Sequence, residues 1–270
     1  MTAFRAELTN RYVVVWCILI TVLWCVTPQL LSQRSWSGLL VFTELFGAVP
    51  ASIAAAWASA TVMGERTTRT MAIHQVLSVR SHREQFVPIF LAHVLLFAIT
   101  PMLVAVTATV ATQPFSTAAV HPDMWIFYTI ALIFMITAVA IGHLASGLTA
   151  LSAFAGVLSF WAMFPLALYH RMPVLALAPY TTVNPWFYAI TSCGIVCVIV
   201  GAYFSSRLRY ERHSPTLASR ARSITVTLII IAAISFTVAA LAQPQTVSIT
   251  RTAEQAHTSI STFSTKDIPA

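Results

Sequence analysis

The feature that most constrains this chain is the recurrence of apolar runs about twenty residues long, separated by short polar or basic segments. A helix needs about 20 consecutive apolar residues to cross the roughly 30 Å hydrocarbon core of a bilayer. Of the 270 residues, 58% are hydrophobic and only 9% are charged, whereas an ordinary soluble domain has about 25% charged residues. The sequence therefore predicts an all-α polytopic membrane protein and argues against a soluble globular domain.

Seven runs have the length of transmembrane helices, and each is bounded by glycine, proline, asparagine or charge. They cover residues 12–31, 39–63, 86–110, 124–143, 148–168, 186–204 and 224–242. The first run is too long for the core of a signal peptide, so the preceding MTAFRAELTNR is interpreted as a polar lead-in, with an interfacial helix as one form of it. The residues after the last run are rich in Ser and Thr and predict an exposed, weakly ordered tail.

The placement of arginine predicts the orientation of these helices. With the N-terminus inside, eleven of the fifteen Lys and Arg residues lie on the cytoplasmic side and four on the outer side. This bias follows the positive-inside rule, in which cytoplasmic loops carry the excess of basic residues. We therefore expect a multi-pass protein of the cell membrane with a cytoplasmic N-terminus and an extracytoplasmic C-terminus.

The segment MGERTTRTMAIHQVLSVRSHREQF, residues 63–86, is longer and more basic than a connection between two membrane helices requires. Its apolar residues Ile73, Val76 and Leu77 recur at the spacing that places side chains on one side of a helix. The opposite side is polar, with arginines at both ends of the stretch. The pattern predicts a short amphipathic helix over about residues 67–80.

A capping signal separates this helix from the next span. Ser81 is followed three residues later by Glu84, which is a capping box. The third span is therefore expected to begin at Ser81. A helix lying in the headgroup layer with its arginines on lipid phosphates is the simplest interpretation of the amphipathic stretch, but it does not explain its position between two linked membrane helices.

Two prolines lie in the third run. Pro88 falls in its first turns, where the loss of a backbone N–H costs little. Pro101 falls in the middle, where a proline removes a helical hydrogen bond and crowds the preceding turn. We therefore expect the third helix to be kinked at Pro101.

Taken together, these features resemble the membrane subunits of ATP-binding-cassette exporters of the type-2 export-permease kind. In that family a glutamate-containing turn, a Gly/Thr-rich step, a short apolar coupling helix and a basic end join the second and third helices. The resemblance implies contact between these positions and a partner ATPase. The matching residues are Glu65, Arg66, Thr70, Ile73, Val76, Leu77, Arg80 and Arg83.

The resemblance extends over about residues 1–213. AIGHLASGLTALSAFAGVLSF is similar to the family's tight turn between the fourth and fifth helices, LAPYTTVNPWFYA to its outer loop, and AYFSSRLRYER to the basic end of its sixth helix. It implies a six-helix permease domain over 1–213 that contains the coupling helix. A basic linker and a seventh transmembrane helix would follow over 214–242, and an extracytoplasmic polar tail over 243–270.

The function that the resemblance implies is that of the transmembrane subunit of an ATP-driven exporter, working as a dimer with itself or with a sister subunit. The sequence contains no G-x-x-x-x-G-K-[S/T] phosphate loop, so a cytoplasmic ATPase chain would hold the ATP and Mg. The chain itself is expected to be no enzyme, to hold no cofactor or metal, and to contact membrane lipid but no nucleic acid. The substrate-pathway candidates are Glu44, a carboxylate inside the second run, with Phe160 and Trp161.

Two alternatives remain open. One is a membrane-anchor or assembly subunit of a larger complex, with the outer tail as its binding element. The other is a haem or quinone redox subunit. His93 and His143 lie toward the cytoplasmic half of different runs, and as paired haem ligands they would have to face each other at one depth. Hydrogen bonding between helices is the simpler interpretation of the two histidines.

Overall fold

The computed structural model describes residues 2–31, 48, 50–64, 82–112, 124–146, 185–210 and 215–241, and the regular elements in those ranges are all helical. The predicted coupling helix over 67–80, the predicted fifth run over 148–168 and the tail after residue 241 lie outside the described residues.

The helices are numbered here in chain order. α1 is Thr2–Leu8 and α2 is Arg11–Leu31, and α3 comprises residues 50–64. α4 runs without interruption through an α-helical part His82–Val94, a π-helical turn Leu95–Ile99 and a second α-helical part Thr100–Thr112. α5 is Met124–Ala145, α6 is Pro185–Tyr210 and α7 is Pro215–Leu241.

Among the described residues, three helices are long and apolar enough to cross a membrane: Arg83–Ala108 within α4, Ala189–Leu208 within α6 and Thr216–Ala239 within α7. Arg11–Val26 and Ala131–Ala145 are shorter apolar helical stretches. The chain is therefore a helical, multi-pass membrane protein, and the all-α prediction is confirmed for the described part. The number of seven spans stays a prediction.

Most helix bounds agree closely with the predicted runs, but α6 continues to Tyr210, six residues beyond its predicted end, and the largest difference is at α7. This helix begins at Pro215 rather than at Ile224. Proline suits the first position of a helix, since its φ is already helical and its missing N–H would have had no partner there. Arg220 and Arg222 are exposed, so the basic residues before the last run continue the helix without burying charge.

A short turn at Thr9 and Asn10 separates α1 from α2. The side-chain oxygen of Asn10 accepts a hydrogen bond from the backbone N–H of Tyr12 at 3.1 Å, which is an N-cap for α2. The backbone N–H of Thr9 donates to the carbonyl of Arg5 at 3.2 Å and so closes the end of α1. The lead-in is thus a helix of its own, and it lies against the first part of α4.

Pro101 is accommodated by a π-helical turn directly before it. The backbone N–H of Thr100 donates to the carbonyl of Leu95, five residues earlier, and the Thr100 hydroxyl donates to the same oxygen at 2.9 Å. A proline ring would crowd the carbonyl four residues earlier in a regular helix, and a π turn widens the backbone at that place. The disruption expected at Pro101 therefore takes the form of a π turn.

Small residues bring α3 and α5 into close contact. Ala55, Ala56 and Ser59 of α3 have no exposed surface. A Cβ added to Gly142 of α5 would overlap the carbonyl oxygen of Ala56 and would lie 2.7 Å from Cβ of Ser59. Helices in membranes associate closely where small side chains let their backbones approach. Gly142 thus fixes the position of the end of α5.

Several helix ends meet at one end of the bundle. The hydroxyl of Ser205 in α6 donates to the carbonyl of Leu144 in α5 at 2.9 Å. The ring of Tyr203 in α6 packs edge-on against Phe86 near the start of α4, with centroids 5.5 Å apart. The start of α4 therefore lies beside the ends of α5 and α6, as helices that cross a membrane in alternating directions require.

Candidate functional site: a buried cluster of Glu7, His93 and His143

Three ionisable side chains meet inside this end of the bundle. Glu7 of α1, His93 of α4 and His143 of α5 have no exposed surface. Charged side chains are almost never fully buried unless they are paired. In a membrane protein such groups are rare, and their presence in the interior is by default a sign of function. We refer to these three residues as the Glu–His–His cluster.

The cluster is a chain of three side chains with His93 in the middle. Nδ1 of His93 and Nε2 of His143 lie 2.9 Å apart and share a hydrogen bond. On its other side, Nε2 of His93 lies 3.7 Å from Oε2 of Glu7, an ion pair when the ring is protonated. His93 thus uses one ring nitrogen toward each neighbour, and the cluster joins α1, α4 and α5.

Aromatic rings surround the two imidazoles. His143 is approached nearly edge-on by Phe90 and Phe86, at centroid distances of 5.3 and 5.6 Å. Phe97 lies against His93 at 5.1 Å. Such rings keep water away from the nitrogens, and in this less polar surrounding a hydrogen bond or an ion pair is stronger than in water. An unpaired charge in the same place would be correspondingly costly.

Helical spacing places the phenylalanine rings that surround the two imidazoles on the same face of α4 as His93. Phe86, Phe90, His93 and Phe97 follow one another at intervals of four, three and four residues, which is the repeat of one helix face. Gly142 lets the end of α5 approach α3 closely, and His143 is the next residue. α1 lies against the first part of α4, and Glu7 thereby reaches His93.

Most residues that the sequence predicts for a site lie outside the described part of the chain. Among the predicted ATPase-contact residues the structure describes only Arg83, which is exposed in the first turn of α4. Its role stays a prediction. The others outside the described residues are Glu65, Arg66, Thr70, Ile73, Val76, Leu77 and Arg80, and the same holds for the substrate-pathway candidates Glu44, Phe160 and Trp161.

The spacing of the two histidines favours hydrogen bonding over shared haem ligation. An iron between two imidazoles would separate the ligating nitrogens by about 4 Å, since a metal–nitrogen bond is about 2.0 Å long. Nδ1 of His93 and Nε2 of His143 are 2.9 Å apart. In the described ranges, no group of three or more His, Cys, Asp or Glu residues is arranged to hold a metal ion.

The sequence pattern did not point to Glu7 as a partner of the histidines. A signal for the depth of His143 is nevertheless present, because no Asp, Glu, Lys or Arg occurs between Asp123 and Arg171. The sequence after α5 is therefore uncharged up to Arg171, so the end of this helix need not reach the charged surface of the membrane. Nothing comparable marks Glu7, which lies in a polar lead-in.

No protein-family model, curated protein or solved structure matches this chain. The exporter family therefore stays a resemblance carried by the sequence pattern. The function must be argued from that pattern together with the geometry of the described helices.

Proposed function

We propose that this protein is the transmembrane subunit of an ATP-driven exporter, which forms the substrate pathway as a dimer and couples to a separate cytoplasmic ATPase chain. ATP and Mg would bind on that partner, and this chain would catalyse no reaction itself. The N-terminus would be cytoplasmic, so that the predicted coupling helix over 67–80 faces the ATPase.

The observation that carries the proposal is the continuity of α4. The helix begins at His82, where the capping box at Ser81 predicts a new helix to start, directly after the predicted coupling helix. From there it continues to His93, whose hydrogen bond with His143 joins it to α5. Eleven residues of α-helix span about 16 Å. A displacement applied at the start of α4 would therefore reach the interior of the bundle along a rigid path.

The π turn supports the same mechanism. It divides α4 into a first part, His82–Val94, which carries the cluster, and a second part, Thr100–Thr112, which follows Leu95–Ile99. π turns inside α-helices occur frequently at functional sites and at kinks. The first part of α4 could tilt about this turn while the second part keeps its contacts with α2.

Reversing two charges of the predicted coupling segment tests the proposal. When the double variant Arg66→Glu, Arg80→Glu is purified from its own membranes, at least tenfold less of the ATPase chain should co-purify with it than with the unchanged protein. The substitutions would replace the positive charge that this segment is expected to present to the ATPase by negative charge. The measurement is ATP hydrolysis and partner abundance by mass spectrometry. The matched control is Arg220→Glu, Arg222→Glu, which reverses two exposed arginines of α7.

The control variant should retain the ATPase at the level of the unchanged protein. Equal retention in both double variants would contradict the coupling role of residues 67–80. Purification of the unchanged protein without any ATPase, but with a stable membrane partner, would favour the anchor-subunit alternative.

A further inference from the structure

We propose that α2 binds an anionic phospholipid, with the lipid phosphate at Arg5 and Arg11 and an acyl chain along the apolar residues that follow Arg11. The inference depends neither on the exporter function nor on the predicted orientation of the chain. It rests on the exposed side chains of α1 and α2, on the length of α2 and on the distribution of charge at the turn between the two helices.

One face of α2 is apolar and exposed along the helix. Val15, Ile18 and Val22 are 63, 58 and 48% exposed. The three residues follow Arg11 at intervals of four, three and four residues, which is the repeat of one helix face. Within a bilayer, an exposed apolar face of this kind contacts acyl chains. Arg11 therefore lies at the end of a strip that acyl chains cover.

The length of α2 places Arg11 at the boundary of the hydrocarbon. α2 is Arg11–Leu31, with 21 residues, and such a helix is about 31 Å long, close to the roughly 30 Å thickness of the hydrocarbon core. Between Arg11 and Val22 the helix rises by about 16 Å, the depth of one leaflet. Tyr12 is 67% exposed beside Arg11, and tyrosine is enriched where the hydrocarbon meets the headgroups. Arg11 is thus at the level of the lipid phosphates.

A second arginine lies beside the turn at which α2 begins. The backbone N–H and the hydroxyl of Thr9 both donate to the carbonyl of Arg5, each at 3.2 Å, and Arg11 is two residues further along the chain. Arg5 and Arg11 are both exposed. Neither of them forms a salt bridge with another residue of the described ranges. Two cations are therefore available on either side of this turn.

The carboxylates of the neighbouring described helices do not neutralise these cations. Glu7 is the only acidic residue among the first 43, and it has no exposed surface, with Oε2 lying 3.7 Å from Nε2 of His93. Glu84 lies nine residues before His93 on α4, which places it about 13 Å away along that helix. The exposed surface at the turn between α1 and α2 is therefore positive.

An anionic phospholipid matches both parts of this surface. A guanidinium group binds phosphate oxygens through paired, charge-assisted hydrogen bonds. Each basic side chain near the membrane surface strengthens the binding of anionic lipid by a factor of about five. A zwitterionic lipid gains less, because it has a cation of its own next to the phosphate. A free phosphate ion would match the arginines but not the apolar strip, so the combination selects a lipid.

Photolabelling in nanodiscs tests the site in the full-length protein. Phosphatidylglycerol and phosphatidylcholine with the same photoreactive acyl chain are compared as trace components of a phosphatidylcholine bilayer. We expect phosphatidylglycerol to label residues 12–26 about tenfold more strongly. The double variant Arg5→Gln, Arg11→Gln should remove this preference, and since both side chains are exposed the packed interior is unchanged. The matched control Arg220→Gln, Arg222→Gln removes two exposed arginines from α7, which packs against α6, and should keep the preference at α2.

Equal labelling of residues 12–26 by the two lipids would overturn the site, as would an undiminished preference in Arg5→Gln, Arg11→Gln. Loss of the preference in the control as well would show an effect of net charge rather than a site on α2. Absence of label from residues 12–26 with both lipids would show that another chain covers this face. Either result would contradict the proposal.

Two further measurements need no variant. Raising the salt concentration to about 1 M shortens the Debye length to about 3 Å and should reduce the preference for phosphatidylglycerol. Excess inorganic phosphate at constant ionic strength should leave the preference unchanged. Its loss on addition of phosphate would assign the arginines to a free anion and would overturn the lipid site, and so would a preference that is insensitive to salt.

Discussion

Replacing Gly142 by leucine should prevent the bundle from reaching its folded state. Even a single added Cβ would overlap the carbonyl oxygen of Ala56 and would lie 2.7 Å from Cβ of Ser59. The first of these atoms belongs to the backbone of Ala56 and the second is the first side-chain carbon of Ser59, so a change of rotamer cannot move either of them away. α3 and α5 would have to move apart, and His143, the next residue, would be carried away from His93.

The expected result is loss of the folded, monodisperse protein in detergent, measured by size-exclusion chromatography and far-ultraviolet circular dichroism. Gly142→Ala is the graded version and should lower the free energy of unfolding in mixed micelles by about 1–3 kcal/mol, the usual cost of overpacking. Gly64→Ala is the matched control, because its Cβ would lie 3.4 Å from the carbonyl oxygen of Ser146, an ordinary contact. Equal stability of the two alanine variants would contradict the close packing.

Replacing His143 by alanine should lower the free energy of unfolding by about 2–5 kcal/mol. The substitution removes a large, fully buried side chain, which leaves a cavity among Phe86, Phe90 and His93. It also deprives Nδ1 of His93 of the hydrogen bond at 2.9 Å, and an unsatisfied buried polar group adds its own cost. Unfolding in mixed micelles, followed by tryptophan fluorescence, measures the difference.

A double-mutant cycle separates the contact from the cavity. The double variant His93→Ala, His143→Ala should lose at least 1 kcal/mol less stability than the sum of the single variants, because the second change removes a group whose partner is already gone. Ser205→Ala serves as the control in the same end of the bundle. It removes the hydrogen bond to the carbonyl of Leu144, and its effect should add independently to that of His93→Ala. Additivity within the histidine pair would contradict the contact.

The positions of the described helices could be predicted from the sequence because a bilayer imposes a simple rule. The apolar run over 12–31 became α2, Arg11–Leu31, and the described part of α4 starts at His82, directly after the predicted capping box at Ser81. Hydrophobicity and caps act within a single helix, so one stretch of sequence is enough to read them. The start of α7 at Pro215 was not predicted, because the sequence alone does not distinguish exposed arginines within a helix from arginines in a linker.

The cluster could be predicted only in part, since it depends on contacts between helices. The sequence indicates that His93 and His143 lie toward the same side of the membrane, and hydrogen bonding was the simpler of the two interpretations. It does not indicate that α1 lies against α4, because the short turn at Asn10 leaves no mark in the hydrophobicity pattern that identifies the membrane spans. Glu7 therefore looked like an ordinary polar residue of the lead-in, although it has no exposed surface.

The central claim is that an ATPase, rather than lipid alone, lies against residues 67–80. Photo-crosslinking from a photoreactive amino acid at Leu77, on the apolar side of the predicted helix, tests it most directly in living cells. A second probe at Ile230, an exposed apolar residue of α7, reports the lipid background. The account predicts that Leu77 crosslinks to one soluble chain with an ATP-binding phosphate loop, whereas Ile230 does not. Crosslinks from Leu77 to lipid alone, as from Ile230, would contradict it.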